Sequence, residues 1–190
     1  MVGVWAYNRF VVFDLIVTYL SSSIDSYSAY AVNTSIYENY QNIGEYNDII
    51  TVEKNDLGDI ILLDFNSFQI NKINNEIITK TSAIMSDKIE NGIEIPLLAF
   101  SGLSFISGYG GNVNYKSLSV SKIVGEYRSE FESSGINQTL HSVYIDVVCQ
   151  VEVIFPLNKT TLETRVPVLL CQSVLVGKVP EVYLSGNLFS

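Results

Sequence analysis

From His141 to Phe155 the chain alternates with a period of two. His141, Val143, Ile145, Val147, Cys149, Val151, Val153 and Phe155 share one side of an extended backbone. Ser142, Tyr144, Asp146, Gln150 and Glu152 mostly share the other. Such alternation predicts a strand with one covered face. Pro156 to Lys159 turn the chain, and Leu162, Thr164, Val166, Val168, Leu170, Val174 and Val176 then continue a second apolar row. The expected element is a long antiparallel hairpin with one side buried and one side wet.

The period changes upstream. Residues 4–41 contain neither proline nor glycine, and Tyr27, Tyr30, Thr34, Tyr37 and Tyr40 recur at helical spacing. This predicts a long helix whose tyrosines cover the core or a neighbouring helix, with Ser21 to Ser23 as the place for a break. "DIITVEKNDLGDIILLDFN" reads as a β-hairpin around Asn55, Asp56, Leu57, Gly58 and Asp59. In its second strand Ile61, Leu63 and Phe65 share one face, while Asp64 and Asn66 take the other. A helix follows over residues 67–90, with Ile70, Ile73, Ile77, Ile84 and Met85 on one side. Ser67 is placed to cap its start and Asn91-Gly92 to stop it. "IEIPLLAFSGLSFISGYGGNVNY" is the least regular stretch. Its glycines at 102, 108, 110 and 111 predict turns in a loop that joins sheet strands. Two or three strands are expected over residues 113–131.

Composition narrows the classes. At 190 residues the chain can bury a core of ordinary size, and a formal charge of -9 leaves no clustered Lys and Arg for nucleic acid. Phe10 to Leu20 is apolar apart from Asp14 and Thr18, but it is shorter than the ~20 residues a membrane span needs. It reads as an amphipathic or buried helix, or as the remnant following a span that lies upstream. One histidine, two cysteines and no CxxC pair argue against a structural zinc. Strand parity puts Cys149 on the inward row, opposite about Val166. Cys171 falls on the outward row with Thr161, Glu163, Arg165 and Ser173, opposite about Tyr144. Two free thiols are expected.

The candidate chemistry is thin. His141 is the only side chain whose ordinary pKa lies near neutrality. A Ser-His-Asp set drawn through Asp146 fails on parity, because Asp146 faces away from His141 on the same strand, and no GxSxG elbow is present. Glu126, Glu130 and Glu132 share one face of a strand at roughly 7 Å steps, near the carboxylate separations of sugar hydrolysis. Neighbouring glutamates on one strand, however, more often form a wet face. "GYGGN" matches neither GxGxxG nor a P-loop. Asn33, Asn137 and Asn158 open glycosylation-type triplets, and "GINQT" reads as a glycine-led turn into a strand.

"IILLDFNSFQINKI", "IPLLAFSG…GYGGNV", "EFESSGINQTLHSVYIDVVCQVEVIFP" and "VPVLLCQSVLVGKVPEVY" occur in that order. With these segments the chain resembles the sporulation protein YunB family of endospore-forming bacteria, from Val4 to Tyr183. The resemblance implies a protein made in the sporulating mother cell and needed for efficient spore formation; it implies no biochemical activity. It further implies a single-span membrane protein with its α+β domain outside the mother-cell cytoplasm, and "VWAYN" resembles the end of that span. Where the family frequently has arginine before the histidine of the "NQT" turn, this chain has Leu140.

The expected fold class is therefore α+β: an N-terminal helix, a β-hairpin, a helix, then a mainly antiparallel sheet ending in a long hairpin. Residues 1–42 are taken as the helical segment, 43–184 as one domain and 185–190 as a tail. The expected function is non-enzymatic, in envelope assembly or protein interaction at a spore membrane, with no cofactor, metal or nucleic acid. An unknown protein of the spore envelope and a membrane, reached through the N-terminus, are the expected partners. Tyr144, Gln150, Glu152, Glu163 and Arg165 form the candidate interaction face. The alternatives are a peptidoglycan-processing enzyme and a small-ligand binding module near residues 102–111.

Overall fold

The structure, a computed structural model, describes residues 12–43, 46–56, 60–101, 103, 105–135, 137–155 and 158–176. Helix α1 (Phe13–Ile43) and a short helix α2 (Tyr46–Ile49) precede strands β1 (Ile50–Lys54) and β2 (Ile60–Phe65). Helix α3 (Ser67–Asn91) leads into β3 (Ile93–Pro96), a 3-10 turn (Leu97–Ser101) and β4 (Asn112–Tyr115). Three long strands follow: β5 (Leu118–Ser133), β6 (Gln138–Phe155) and β7 (Asn158–Val176). β1 pairs with β2, β3 with β4, and β5-β6-β7 form a three-stranded antiparallel sheet. This is the expected α+β order. The segment "GKVPEVY" and the beginning of the expected N-terminal helix lie outside the described residues.

The chain divides into two compact units. The first comprises Met1–Tyr37, Ile77–Val124 and Val147–Val166; the second comprises Glu38–Glu76, Gly125–Asp146 and Pro167–Ser190.

In the first unit α1 buries Ile16, Leu20, Ile24 and Ala31, a row at steps of four and seven. These residues form one core with Met85 and Ile89 of α3, Ile93 and Ile95 of β3, and Val151 and Val153 of β6. Each such aliphatic side chain contributes about 2 kcal/mol on burial. The tyrosine row meets its expectation only in part: Tyr27 packs against this core and Lys88 of α3 sits over the Tyr30 ring at 5.4 Å, but Tyr30 and Tyr37 are exposed. The buried stripe runs instead through the small residues Ser28, Ala31 and Ser35, and Thr81 of α3 donates to the Ser35 hydroxyl at 3.1 Å. Nor does α1 break at Ser21 to Ser23. The Ser23 hydroxyl donates back to the Tyr19 carbonyl at 3.0 Å, so it is satisfied without interrupting the helix.

At the end of α3, Gly92 adopts φ 83° and its N–H donates to the Ile89 carbonyl at 3.0 Å, the stop read from the sequence. Its start lies in the second unit, and there the cap is Asn66 rather than Ser67. Asn66 Oδ1 accepts from the Gln69 N–H at 3.1 Å, while the Ser67 hydroxyl points back to the Phe65 carbonyl.

In the second unit Ile50 pairs with Phe65 and Val52 with Leu63, as a half-buried hairpin requires. Ile61 is 62% exposed, near the irregular register at Glu53/Lys54, so the expected inward row holds only for Leu63 and Phe65. Asn74 of α3 donates through Nδ2 to the Gly125 carbonyl at 3.3 Å. Its Oδ1 is buried without a hydrogen-bond partner and occupies the space a side chain at position 125 would need.

Two strand expectations need correction. On β6 the inward row from His141 to Val153 is buried as read, but Ser142, Asp146 and Val148 of the other row are buried too. That side is therefore not simply wet: partners on neighbouring strands cover it. On β7 the burial phase shifts by one residue after Leu170. Cys171, expected outward, is buried, whereas Val174 and Val176, expected inward, are about half exposed. Both cysteines are free. Pro167 lies on β7, an edge strand, the position in a sheet where proline is tolerated.

Candidate functional site

Two groups of polar side chains lie in the second unit, on either side of the paired stretches of β5 and β6. On one side His141 is fully buried. The Phe131 ring stacks on its imidazole at 4.3 Å and 7°, and Phe65 meets it edge-on at 6.0 Å. Its Nε2 is 2.8 Å from the Ser129 hydroxyl. Ser129 also reaches Tyr127, whose phenol burial pushes up while the serine hydrogen bond acts against that shift. Desolvation holds the His141 pKa below its ordinary 6.5, so the ring is neutral at pH 7.

On the other side Arg128 Nε and Nη2 donate to the Asp146 carboxylate at 3.1 and 3.3 Å. Arg128 also pairs with Glu130 and lies over the Tyr144 ring at 4.5 Å. The hydrogen bond to Asp146 is the main cause that raises the guanidinium pKa still further. Gln172 donates to the Ser142 hydroxyl at 2.9 Å on this side.

A neutral imidazole bonded to a serine hydroxyl is the smallest nucleophile-base unit. Asp146, the acid a triad would draw on, lies on the other face from His141, as parity predicts, and there it is bound by Arg128. Glu126, Glu130 and Glu132 are all exposed, so the glutamates read as a carboxylate set line no closed cleft. Among the described residues no three His, Cys, Asp or Glu side chains converge to hold a metal ion. Burial raises both thiol pKa values, that of Cys171 to about 11, and keeps them as thiols near neutrality.

The predicted interaction face divides between the units. Tyr144 belongs to the second, beneath Arg128. Gln150, Glu152, Glu163 and Arg165 belong to the first. There Gln150 Nε2 donates to Glu163 Oε2 at 2.7 Å, and Lys159 approaches Glu152 at 3.8 Å. Glu163 and Arg165 are exposed; Gln150 and Glu152 are half-buried. Sequence reasoning missed Arg128 and Ser129. Alternation along β5 puts the two on opposite faces, but it carries no register that would pair them with Asp146 and His141.

Helices on one side of the count and a long antiparallel sheet on the other define an α+β protein with these polar groupings on β5 and β6. Residues 92–182 match the family model for sporulation protein YunB (Spo_YunB). The match covers just under half of the chain and supports a likeness to YunB-family sporulation proteins. The match takes in β3 through β7 and leaves out "IILLDFNSFQINKI", so it is narrower than the resemblance read from Val4 to Tyr183. No curated protein and no solved structure matches the chain.

Proposed function

We propose that this sporulation protein works without catalysing a reaction, as an assembly or interaction component of the developing spore envelope. In this reading it is membrane-associated through its N-terminus, with the folded part outside the mother-cell cytoplasm. The observation that supports a non-enzymatic role is the state of His141: fully buried, neutral and stacked against Phe131. A base that a substrate cannot reach is better suited to holding a strand than to moving a proton. Among the described residues no helix is long and apolar enough to cross a membrane, so the anchor in this reading rests on the family resemblance. The exposed Glu163 and Arg165 with Gln150 and Glu152 are the proposed protein contact in the first unit, and Tyr144 is a separate one in the second.

The 2.8 Å contact between Ser129 and His141 favours one other reading, a peptidoglycan-processing hydrolase with Ser129 as nucleophile. One experiment separates the two. Heat-resistant spore yield is measured in a deletion host complemented with wild type, Ser129→Ala, Glu126→Gln/Glu130→Gln or Glu163→Lys/Arg165→Glu at matched protein levels. The interaction reading expects the first two variants to restore spores and the charge reversal to reduce them. Loss of rescue by a folded Ser129→Ala protein would sink it in favour of hydrolysis.

A further inference from the structure

Residues 95–115 carry no charged side chain, the longest such run in a chain that is 16% charged. They form the β3–β4 hairpin and its loop in the first unit. Six large apolar residues stand exposed there: Leu97 (52%), Leu98 (36%), Leu103 (43%), Phe105 (77%), Tyr109 (70%) and Val113 (41%). The segment is nonetheless tied down. Ala99 and Ile95 belong to the buried core of this unit, and β3 and β4 are paired from Ile93↔Tyr115 to Pro96↔Asn112. Beyond the strands the backbone goes on bonding to itself. Leu97 N–H donates to the Gly111 carbonyl at 2.7 Å and Leu98 N–H to the Tyr109 carbonyl at 3.4 Å. Farther out, Ile106 N–H donates to Leu103 and Tyr109 N–H to Ile106, at 3.2 and 3.0 Å. The Ser101 hydroxyl donates to the Leu98 carbonyl and accepts from the Leu103 N–H. Gly110, at φ 97°, lets the returning chain close on Leu98.

We infer that this loop is a lipid-contact element: Leu103, Phe105 and Tyr109, with Leu97, Leu98 and Val113 behind them, insert shallowly into the interface of a bilayer. An exposed apolar cluster of this kind marks a protein or a membrane contact. Two features favour lipid. A protein partner ordinarily offers and receives charge at the rim of its interface, and this surface has none to give. The backbone bonds of Leu97, Leu98, Leu103, Ile106 and Tyr109 and the returned serine hydroxyl lower the cost of placing this loop in an apolar medium. Leucine and aromatic side chains are the residues that settle at the bilayer boundary, tyrosine with its hydroxyl toward the headgroups. Charge returns at the foot of the hairpin, with Glu94 held by Asn112 and with the exposed Lys116. The depth of insertion therefore ends near the Pro96↔Asn112 pair. A chain of net charge -9 gains no attraction from an anionic surface, so the contact runs on apolar burial and not on charge. It goes beyond the N-terminal anchor of the proposed function and does not depend on it.

The test floats the full chain with phosphatidylcholine vesicles, beside a Leu103→Asp/Phe105→Asp variant whose urea midpoint matches wild type. Wild type is expected to float equally at low and high salt, and the variant to lose at least about tenfold in partition. Several results would overturn the inference. A variant that floats like wild type assigns the binding to another segment, the apolar N-terminus first. Flotation with phosphatidylglycerol vesicles alone, lost at high salt, makes the contact electrostatic. A wild type that floats with neither vesicle, while sedimentation shows it self-associating through Phe105, makes the surface a protein interface.

Discussion

The two sides of the β5–β6 stretch in the second unit bury a titratable group by opposite means. On one side the imidazole of His141 loses its charge: phenylalanine rings surround it, desolvation lowers its pKa, and a serine hydroxyl meets its Nε2. On the other the Asp146 side chain, 7% exposed, faces a guanidinium that donates to it twice. The contrast shows how one strand, alternating in direction residue by residue, serves two different environments a few ångströms apart. It leaves the imidazole walled off and the carboxylate held by a cation, the arrangement on which the proposed non-enzymatic role rests.

The largest effect on this contrast should come from His141→Ala. Removing a fully buried ring beneath Phe131 leaves a cavity, and the expected loss is about 3 kcal/mol in urea unfolding. The wild-type protein should also show an acid dependence that the variant lacks. Because the folded pKa lies below the ordinary 6.5, the unfolded chain takes up a proton that the folded chain refuses. Stability is then full above pH ~6.5 and falls as the pH drops below it. His141→Gln should flatten that slope, and with one histidine in the chain no second imidazole confuses the result. A slope unchanged in His141→Gln would refute neutralisation by burial.

Arg128→Met should come next. It strands the Asp146 carboxylate, so the urea midpoint should fall by less than in His141→Ala but clearly below wild type. Arg128→Lys should recover only part of the loss, since an ammonium does not present the two-pronged guanidinium edge. Full recovery by lysine would mean that charge alone, without geometry, holds this side. The smallest effect belongs to Glu130→Gln. Its side chain is 48% exposed, and the surface pair with Arg128 should contribute little, leaving the midpoint near wild type.

Much of this arrangement was legible beforehand, for identifiable reasons. The period of two placed His141 inward and Asp146 away from it, and the isoleucines of α3 with the Asn91-Gly92 stop delimited that helix. What escaped depends on partners remote in sequence. Arg128 and Ser129 find Asp146 and His141 only after two strands have paired, and single-strand alternation carries no register. On β7 a one-residue change of phase at Leu170 turned Cys171 inward and Val174 and Val176 outward, each against its assignment. In α1 small residues let the core approach, and of the tyrosines Tyr27 packs on it while Tyr30 and Tyr37 stay outside. The β3–β4 loop read as glycine-rich turns, which it is; its exposed leucines and aromatics became visible only once the core was known.

The unsatisfied oxygen of Asn74 against Gly125 bears on how relatives of this chain can diverge. The two positions are 51 residues apart yet share one volume, since a methyl group at 125 would land on Asn74 Oδ1 and press on Ile145 Cγ2 at 3.0 Å. Position 125 cannot gain a side chain while Asn74 keeps its place. A lineage that gains a side chain at 125 is expected to carry a shorter residue at 74, so the strand and the helix would record each other's substitutions as a covarying pair.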